Sequence, residues 1–183
     1  MSILFINACV RENSRTLVLA KNILNNMTGD VVEVNLNQEL IVPLNRELLE
    51  KRERLLSGAN RNDPMFDYAT QFAAADEIVI AAPFWDLSFP AILKTYIEQI
   101  TVSGITFEYV DGKPRGLCKA KGLTYVTTSG GPIFADFGYE YIKALAKNFY
   151  GICNTKAYRA MNLDVNMITA EELLTKANIS VVE

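Results

Sequence analysis

Residues 78–100, IVIAAPFWDLSFPAILKTYIEQI, constrain the fold more than any other stretch of the chain. Residues 78–82 form an unbroken apolar run of strand length that Pro83 stops. A strand without polar alternation is covered on both faces, as in the middle of a parallel sheet. After a loop over residues 83–89, Pro90 suits the first turn of a helix, and Ile92, Leu93, Tyr96, Ile97 and Ile100 recur on one helical face. The loop therefore joins the carboxyl end of a buried strand to a helix amino terminus, where open α/β sheets bind their ligands. It carries Phe84, Trp85, Leu87 and Phe89 with one acid, Asp86. Such residues either plug the end of a core or face a flat aromatic ligand.

The chain before this segment repeats its plan. Residues 2–7 (SILFIN) read as a strand, followed by a polar loop and a helical pattern through Leu17, Leu19, Ala20, Ile23 and Leu24. Ser14 and Thr16 at that helix start, with Arg11 and Arg15, suit a phosphate held by hydroxyls, backbone N–H groups and the helix dipole. Asn13 or Ser14 serving only as a helix cap is the competing reading, and no GxGxxG or GxxxxGK[ST] sharpens the choice. Cys9 in the same loop is either an activated thiol or a small packing residue. Residues 31–35 predict a second strand, residues 46–56 a charged helix and residues 65–75 a further helix.

Beyond Ile100, residues 106–110 and the Asp111-Gly112 turn predict a hairpin excursion. Residues 121–127 predict a strand running into Thr128-Ser129-Gly130-Gly131, where two glycines permit either close backbone approach to a ligand or a plain tight turn. Residues 139–150 predict a helix, residues 156–165 the last strand, and residues 169–177 a closing helix with a Thr169/Glu172 capping box. Strand and helix alternate about five times with no linker, which predicts one domain over residues 1–183. Its architecture is a three-layer, doubly wound parallel sheet of five strands in the flavodoxin-like order 2-1-3-4-5. That order brings the loop after the first strand, the aromatic loop and the glycine loop to one crevice.

Composition narrows the chemistry. The chain has no histidine, which removes Ser-His-Asp and Cys-His catalysis and histidine metal sites, and no metal centre is expected. Three separated cysteines without a CxxC fit free thiols in a reducing compartment. A net charge of -3 and a pI near 5.2 argue against a nucleic-acid surface. No apolar run approaches a membrane span, and the amino-terminal residues lack the features of a secretory signal, so a cytoplasmic location is expected.

Taken together, AAPFWDLSFPAILKTYIEQI, GITFEYVDGKPRGL and VTTSGG, in this order, resemble the FMN-dependent NADH-azoreductase and NAD(P)H:quinone oxidoreductase family of flavodoxin-like flavoenzymes. The resemblance implies tightly but non-covalently bound FMN, reduced by NADH or NADPH. It also implies two-electron, ping-pong hydride transfer through flavin N5 to a small quinone, azo compound or nitroaromatic. It places the cofactor phosphate at Ser14, Arg15 and Thr16, with Arg11 in the same cofactor-binding loop. The ring would lie along Pro83, Phe84, Trp85, Asp86 and Leu87, and its pyrimidine edge at Thr128, Ser129, Gly130 and Gly131. Tyr109 and Phe134 become walls of the substrate pocket, with Tyr109 also a candidate proton donor, since no catalytic side chain beyond the cofactor is required. Family members are homodimers with the flavin near the interface, and the same assembly is expected. An FMN electron carrier of the flavodoxin type, working between protein partners, is the alternative, although the net charge is mild for a docking protein.

Two positions depart from the family. Asp86 stands where Asn is common, and its charge would oppose reduction of a nearby flavin unless the carboxylate points away or is neutralised. Ser129 replaces an Arg often found in the glycine loop, leaving Arg11 as a candidate source of positive charge.

Overall fold

The computed structural model describes residues 1–175 and 179–183. The central strand predicted from the apolar run is β3, Glu77–Ala81, flanked by β1, Ser2–Asn7, and β6, Gly122–Thr128. β2, Asp30–Asn35, lies outside β1, and β7, Thr155–Ala160, lies outside β6. These five strands are parallel. The hairpin β4, Phe107–Val110, and β5, Lys113–Gly116, forms a separate two-stranded sheet.

The fold is the expected flavodoxin-like α/β class, but the five-strand 2-1-3-4-5 sheet requires correction. The sheet has six strands in the order β2-β1-β3-β6-β7-β8, because β8, Ile179–Val182, pairs antiparallel with β7. A four-residue run with three β-branched residues is too short for periodicity to mark, and a waiting edge supplies the partner that makes it a strand. The predicted strand over residues 156–165 also runs too far. The ladder ends at Ala160, and Asn162 at φ 62° turns the chain. The closing helix α6 spans Ala170–Thr175 with the predicted box in place, Thr169 N–H to Glu172 Oε2 at 2.9 Å and Glu172 N–H to Thr169 Oγ1 at 3.2 Å. Lys176 and Ala177 of the expected 169–177 helix lie outside the described residues.

Helices cover both faces. α1, Arg15–Asn25, and α6 close one side over Ile3, Phe5, Val79, Ala81 and Val126. On the other side α3, Asp67–Ala74, α4, Ala91–Ile100, and α5, Phe137–Leu145, pack on Leu4, Ile6, Ile78, Ile80, Leu123 and Tyr125. Alternate residues of β1, β3 and β6 thus enter different cores, which is why β1 and β3 read as nearly continuous apolar runs. α5 runs on through a π-helical turn, Ala146–Tyr150, and stops at Gly151 with φ 77°. Gly116 of the hairpin lies against that turn so closely that a Cβ would run into the Tyr150 and Gly151 backbone, so glycine is what lets the hairpin dock. The amphipathic α2, Arg46–Ser57, buries no residue fully.

Candidate functional site

The carboxyl ends of the three central strands open into a cleft of about 270 Å³. Its first wall is the start of α1. Ser14 is the N-cap and accepts from Leu17 N–H at 3.3 Å, so the capping reading holds. That bond uses one of the donors a helix start exposes, and the amides of Arg15 and Thr16 remain without an intrahelical acceptor. Capping and anion binding are therefore compatible here. Thr16 is buried, and its hydroxyl meets that of Thr128 at 2.6 Å, tying α1 to the end of β6.

The second wall is the glycine loop after β6. Ser129 N–H donates to Ala160 O at 3.0 Å, while the loop carbonyls are taken by the segment after β7. Asn162 N–H reaches Gly131 O at 3.3 Å, Leu163 N–H reaches Ser129 O at 3.2 Å and Asp164 N–H reaches Gly130 O at 3.0 Å. Ser129 Oγ adds a further bond to Gly131 O at 2.6 Å. With the acceptors satisfied, the amides of Gly130 and Gly131 have no protein acceptor among the described residues. A loop in this state offers donors to a carbonyl or ring nitrogen of a ligand.

The third wall is the aromatic loop. Phe84 N–H donates to Thr128 O at 3.0 Å, so the loop starts as a continuation of the β3–β6 ladder. It then reverses at once. Trp85 and Ser88 exchange backbone bonds of 3.1 and 2.8 Å around Asp86 at φ 50° and Leu87 at φ 64°. Two left-handed residues inside such a pair make a type I′ turn, normally occupied by Asn-Gly. Leucine in that conformation costs roughly 1–2 kcal/mol. Two bonds from the start of α5 hold it: Leu87 O accepts Phe137 N–H at 3.0 Å, and Asp136 caps α5 by accepting from Tyr139 N–H at 2.8 Å. Asp136 Oδ2 also pairs with Arg159 Nη2 of β7 at 2.8 Å, with little of either side chain exposed. The turn leaves the Asp86 and Leu87 amides without a protein acceptor among the described residues.

The charges follow from these placements. Arg11 lines the cleft with no carboxylate partner among the described residues, whereas Arg15 pairs with Asp164 across it. Cys9 lies beneath the loop rather than in the cleft, its thiol directed at Ala81 O at 3.8 Å. Burial pushes that thiol up to about 11, a hydrogen bond from Ser14 counteracts in part, and Glu33 adds to the rise. It is a packing residue and not an activated nucleophile at neutral pH.

Of the residues singled out in the sequence, Arg11, Ser14, Arg15, Thr16, Pro83, Phe84, Trp85, Thr128, Ser129 and Gly130 share the cleft. Asp86 and Leu87 form the turn above it with exposed side chains, and Gly131 lies just beyond its lining. Solvent around the exposed Asp86 carboxylate screens its charge. Tyr109, on β4, and Phe134 are 61% and 87% exposed and do not line the cleft of one chain. Val10 and Asp164 line it without having been singled out, and Asn13, considered only as a helix cap, lines it too. Asp164 fell inside what read as a strand, and the signal that would have exposed it is Asn162, a residue type that tolerates the left-handed conformation.

The donor set fits FMN: hydroxyls, two helix-start amides and Arg11 at one end, and amides beside Phe84 and Trp85 at the other. A family model described as flavodoxin-like fold matches residues 1–180. An FMN-dependent NADH:quinone oxidoreductase of Clostridium perfringens is 34% identical over 180 residues, covering 93% of this chain and 90% of that protein. One from Caldicellulosiruptor saccharolyticus is 32% identical over 177 residues, covering 91% and 88%. Among solved structures, an azoreductase from Bacillus anthracis superposes with a TM-score of 0.81 at 24% identity, covering 96% of this chain and 93% of the other. An FMN-dependent NADH-azoreductase from the same species, in complex with FMN, gives 0.77 at 24% identity, covering 95% and 92%. These two share the fold.

Proposed function

The chain belongs to the flavodoxin-like fold family, with relatives named FMN-dependent NADH:quinone oxidoreductase, and on that premise we propose that it is itself an FMN-dependent NAD(P)H oxidoreductase acting on quinones and azo compounds. Nitroaromatics of similar size belong to the same acceptor class. The observation that carries the reading is the convergence of the α1 start, the strained aromatic turn and the donor-rich glycine loop on one cleft.

Bound FMN supplies two-electron transfer from the nicotinamide to the acceptor. The chain's residues do the rest. Ser14, Thr16, Arg11, Arg15 and the first amides of α1 would hold the phosphate; Phe84 and Trp85 would give the ring a flat apolar surface; the amides of Gly130 and Gly131 would donate to its polar edge. The Asp86–Leu87 turn would offer its free amides to the ring of the bound cofactor. Protons for the reduced acceptor come from water or from Tyr109.

The active form is a cytoplasmic homodimer, each chain a single domain over residues 1–183. Trp85, Leu87, Phe134 and Phe137 support this, since all four are exposed and the Phe137 N–H to Leu87 O bond makes their loops neighbours. An apolar patch rimming a cleft marks an interaction surface. Tyr109 and Phe134 then belong to an acceptor pocket completed by the second chain. No helix among the described residues is long and apolar enough to cross a membrane.

The test is a visible spectrum of the purified protein with FMN, followed by anaerobic NADH or NADPH and then menadione. Bound flavin that bleaches with nicotinamide and recovers with the quinone is the expected result. Flavin that stays oxidised with both donors points to an electron carrier, and absence of flavin binding overturns the proposal.

A further inference from the structure

One contact in the cleft opposes the ligand that the other contacts favour. The Arg15 guanidinium, at the start of α1, is engaged by the carboxylate of Asp164. Asp164 does not arrive there by chance rotation of a free side chain. Its N–H is fixed to Gly130 O at 3.0 Å, the two residues before it also bond to the glycine loop, and its carboxylate leans on Gly130 so closely that a Cβ there would collide with Oδ2. Asn162 at φ 62° sets this course. The backbone thus suspends a negative charge beside the phosphate end of the cleft.

We infer that Asp164 is a specificity-determining residue of the cofactor cleft: it competes with the flavin phosphate for Arg15 and so reduces the preference for FMN over riboflavin. The inference rests on the flavin reading above. A phosphate at the α1 start carries close to two negative charges, so it must detach Asp164 from Arg15 and then tolerate its proximity. Riboflavin meets neither demand. The Asp164 side chain is 70% exposed and that of Arg15 31%, so solvent screens the pair and the effect is moderate.

The experiment measures dissociation constants of FMN and riboflavin by quenching of flavin fluorescence, for the unmodified chain, Asp164→Asn and Asp164→Ala. Both variants keep the backbone bonds that shape the loop, and circular dichroism checks that they fold. The expected result is FMN binding tighter by about threefold to tenfold in both variants, with riboflavin changed by less than about twofold. Arg15→Met should cost more FMN affinity in the Asp164→Asn background than in the unmodified chain, because the neutral side chain frees the guanidinium. Equal weakening of both flavins in the variants overturns the inference and makes Asp164 an acceptor for the ribityl hydroxyls. Unchanged FMN affinity overturns it too. If the unmodified chain binds neither flavin, the functional reading fails together with the inference; if it binds FMN without the selective gain, the inference alone fails.

Discussion

Thr16 Oγ1 and Thr128 Oγ1 lie 2.6 Å apart although 112 residues separate them in the chain. This contact is the point at which the first helix and the fourth parallel strand agree on where the cleft lies. Thr16→Val leaves the Thr128 hydroxyl buried and unpaired, at a cost of about 1–3 kcal/mol. The same holds for Thr128→Val. The double variant, in which both partners become apolar with the same shape, is expected to be less destabilised than the sum of the two. Urea unfolding of the four proteins measures the coupling directly.

Leu87 supplies a prediction of the opposite sign. Its φ of 64° penalises a side chain, and Leu87→Gly removes the penalty at the cost of a more flexible unfolded chain. A net gain of about 0.5 kcal/mol is expected. Leu87→Val, β-branched in a left-handed position, should lose about 1–3 kcal/mol. Thermal unfolding of both variants checks the order Gly above Leu above Val.

The Asp136–Arg159 pair carries the support of that turn. Asp136→Ala removes a helix cap and leaves a largely buried guanidinium without its carboxylate, and about 3–5 kcal/mol of stability should disappear. Asp136→Asn keeps the cap through its amide oxygen but sets a donor against Arg159 in place of the acceptor, so it should fall between. Adding Arg159→Met to Asp136→Ala should restore part of the loss, since the stranded charge goes with it. Denaturant midpoints of the four chains decide.

Thiol chemistry separates the three cysteines. Cys153 is exposed, whereas burial pushes Cys9 up to about 11 and Cys118 up to about 12. A disulfide reagent near pH 8 should titrate one thiol rapidly in the native protein and all three after unfolding. The pH dependence follows with its sign. A thiol whose folded value is raised keeps its proton longer in the native state, so its contribution is fully present below the unfolded value near 9 and is lost as pH rises through about 11. Cys9→Ala should flatten the loss of stability over that interval, as read by urea midpoints at stepped pH.

The parts legible in the sequence are those where local pattern and tertiary role coincide. Residues 78–82 read as a buried central strand because neighbours on both faces demand what the run displays. The aromatic loop, the α1 start and the glycine loop were each ambiguous alone, and adjacency of β1, β3 and β6 resolves them into one cleft. The strand over residues 156–165 overran because Leu163 and Val165 continue an apolar alternation past Ala160. Tertiary bonds to the glycine loop override that alternation, and Asp164 came into the cleft with them. β8 was missed for the complementary reason, since pairing with β7 and not its own four residues makes it a strand.

The three backbone bonds between residues 162–164 and the glycine loop also set an order of events in time. The cleft draws on residues 10–16, 83–85, 128–130 and 164, so its parts leave the ribosome across nearly the whole of synthesis. A nascent chain that has made β1, α1 and β3 has two walls but lacks the glycine loop, and the glycine loop in turn lacks its template until β7 and the following turn emerge. Cofactor capture therefore cannot guide the early stages of folding. A ligand that needs all three walls stabilises only chains in which the first helix and the segment after the last parallel strand already meet.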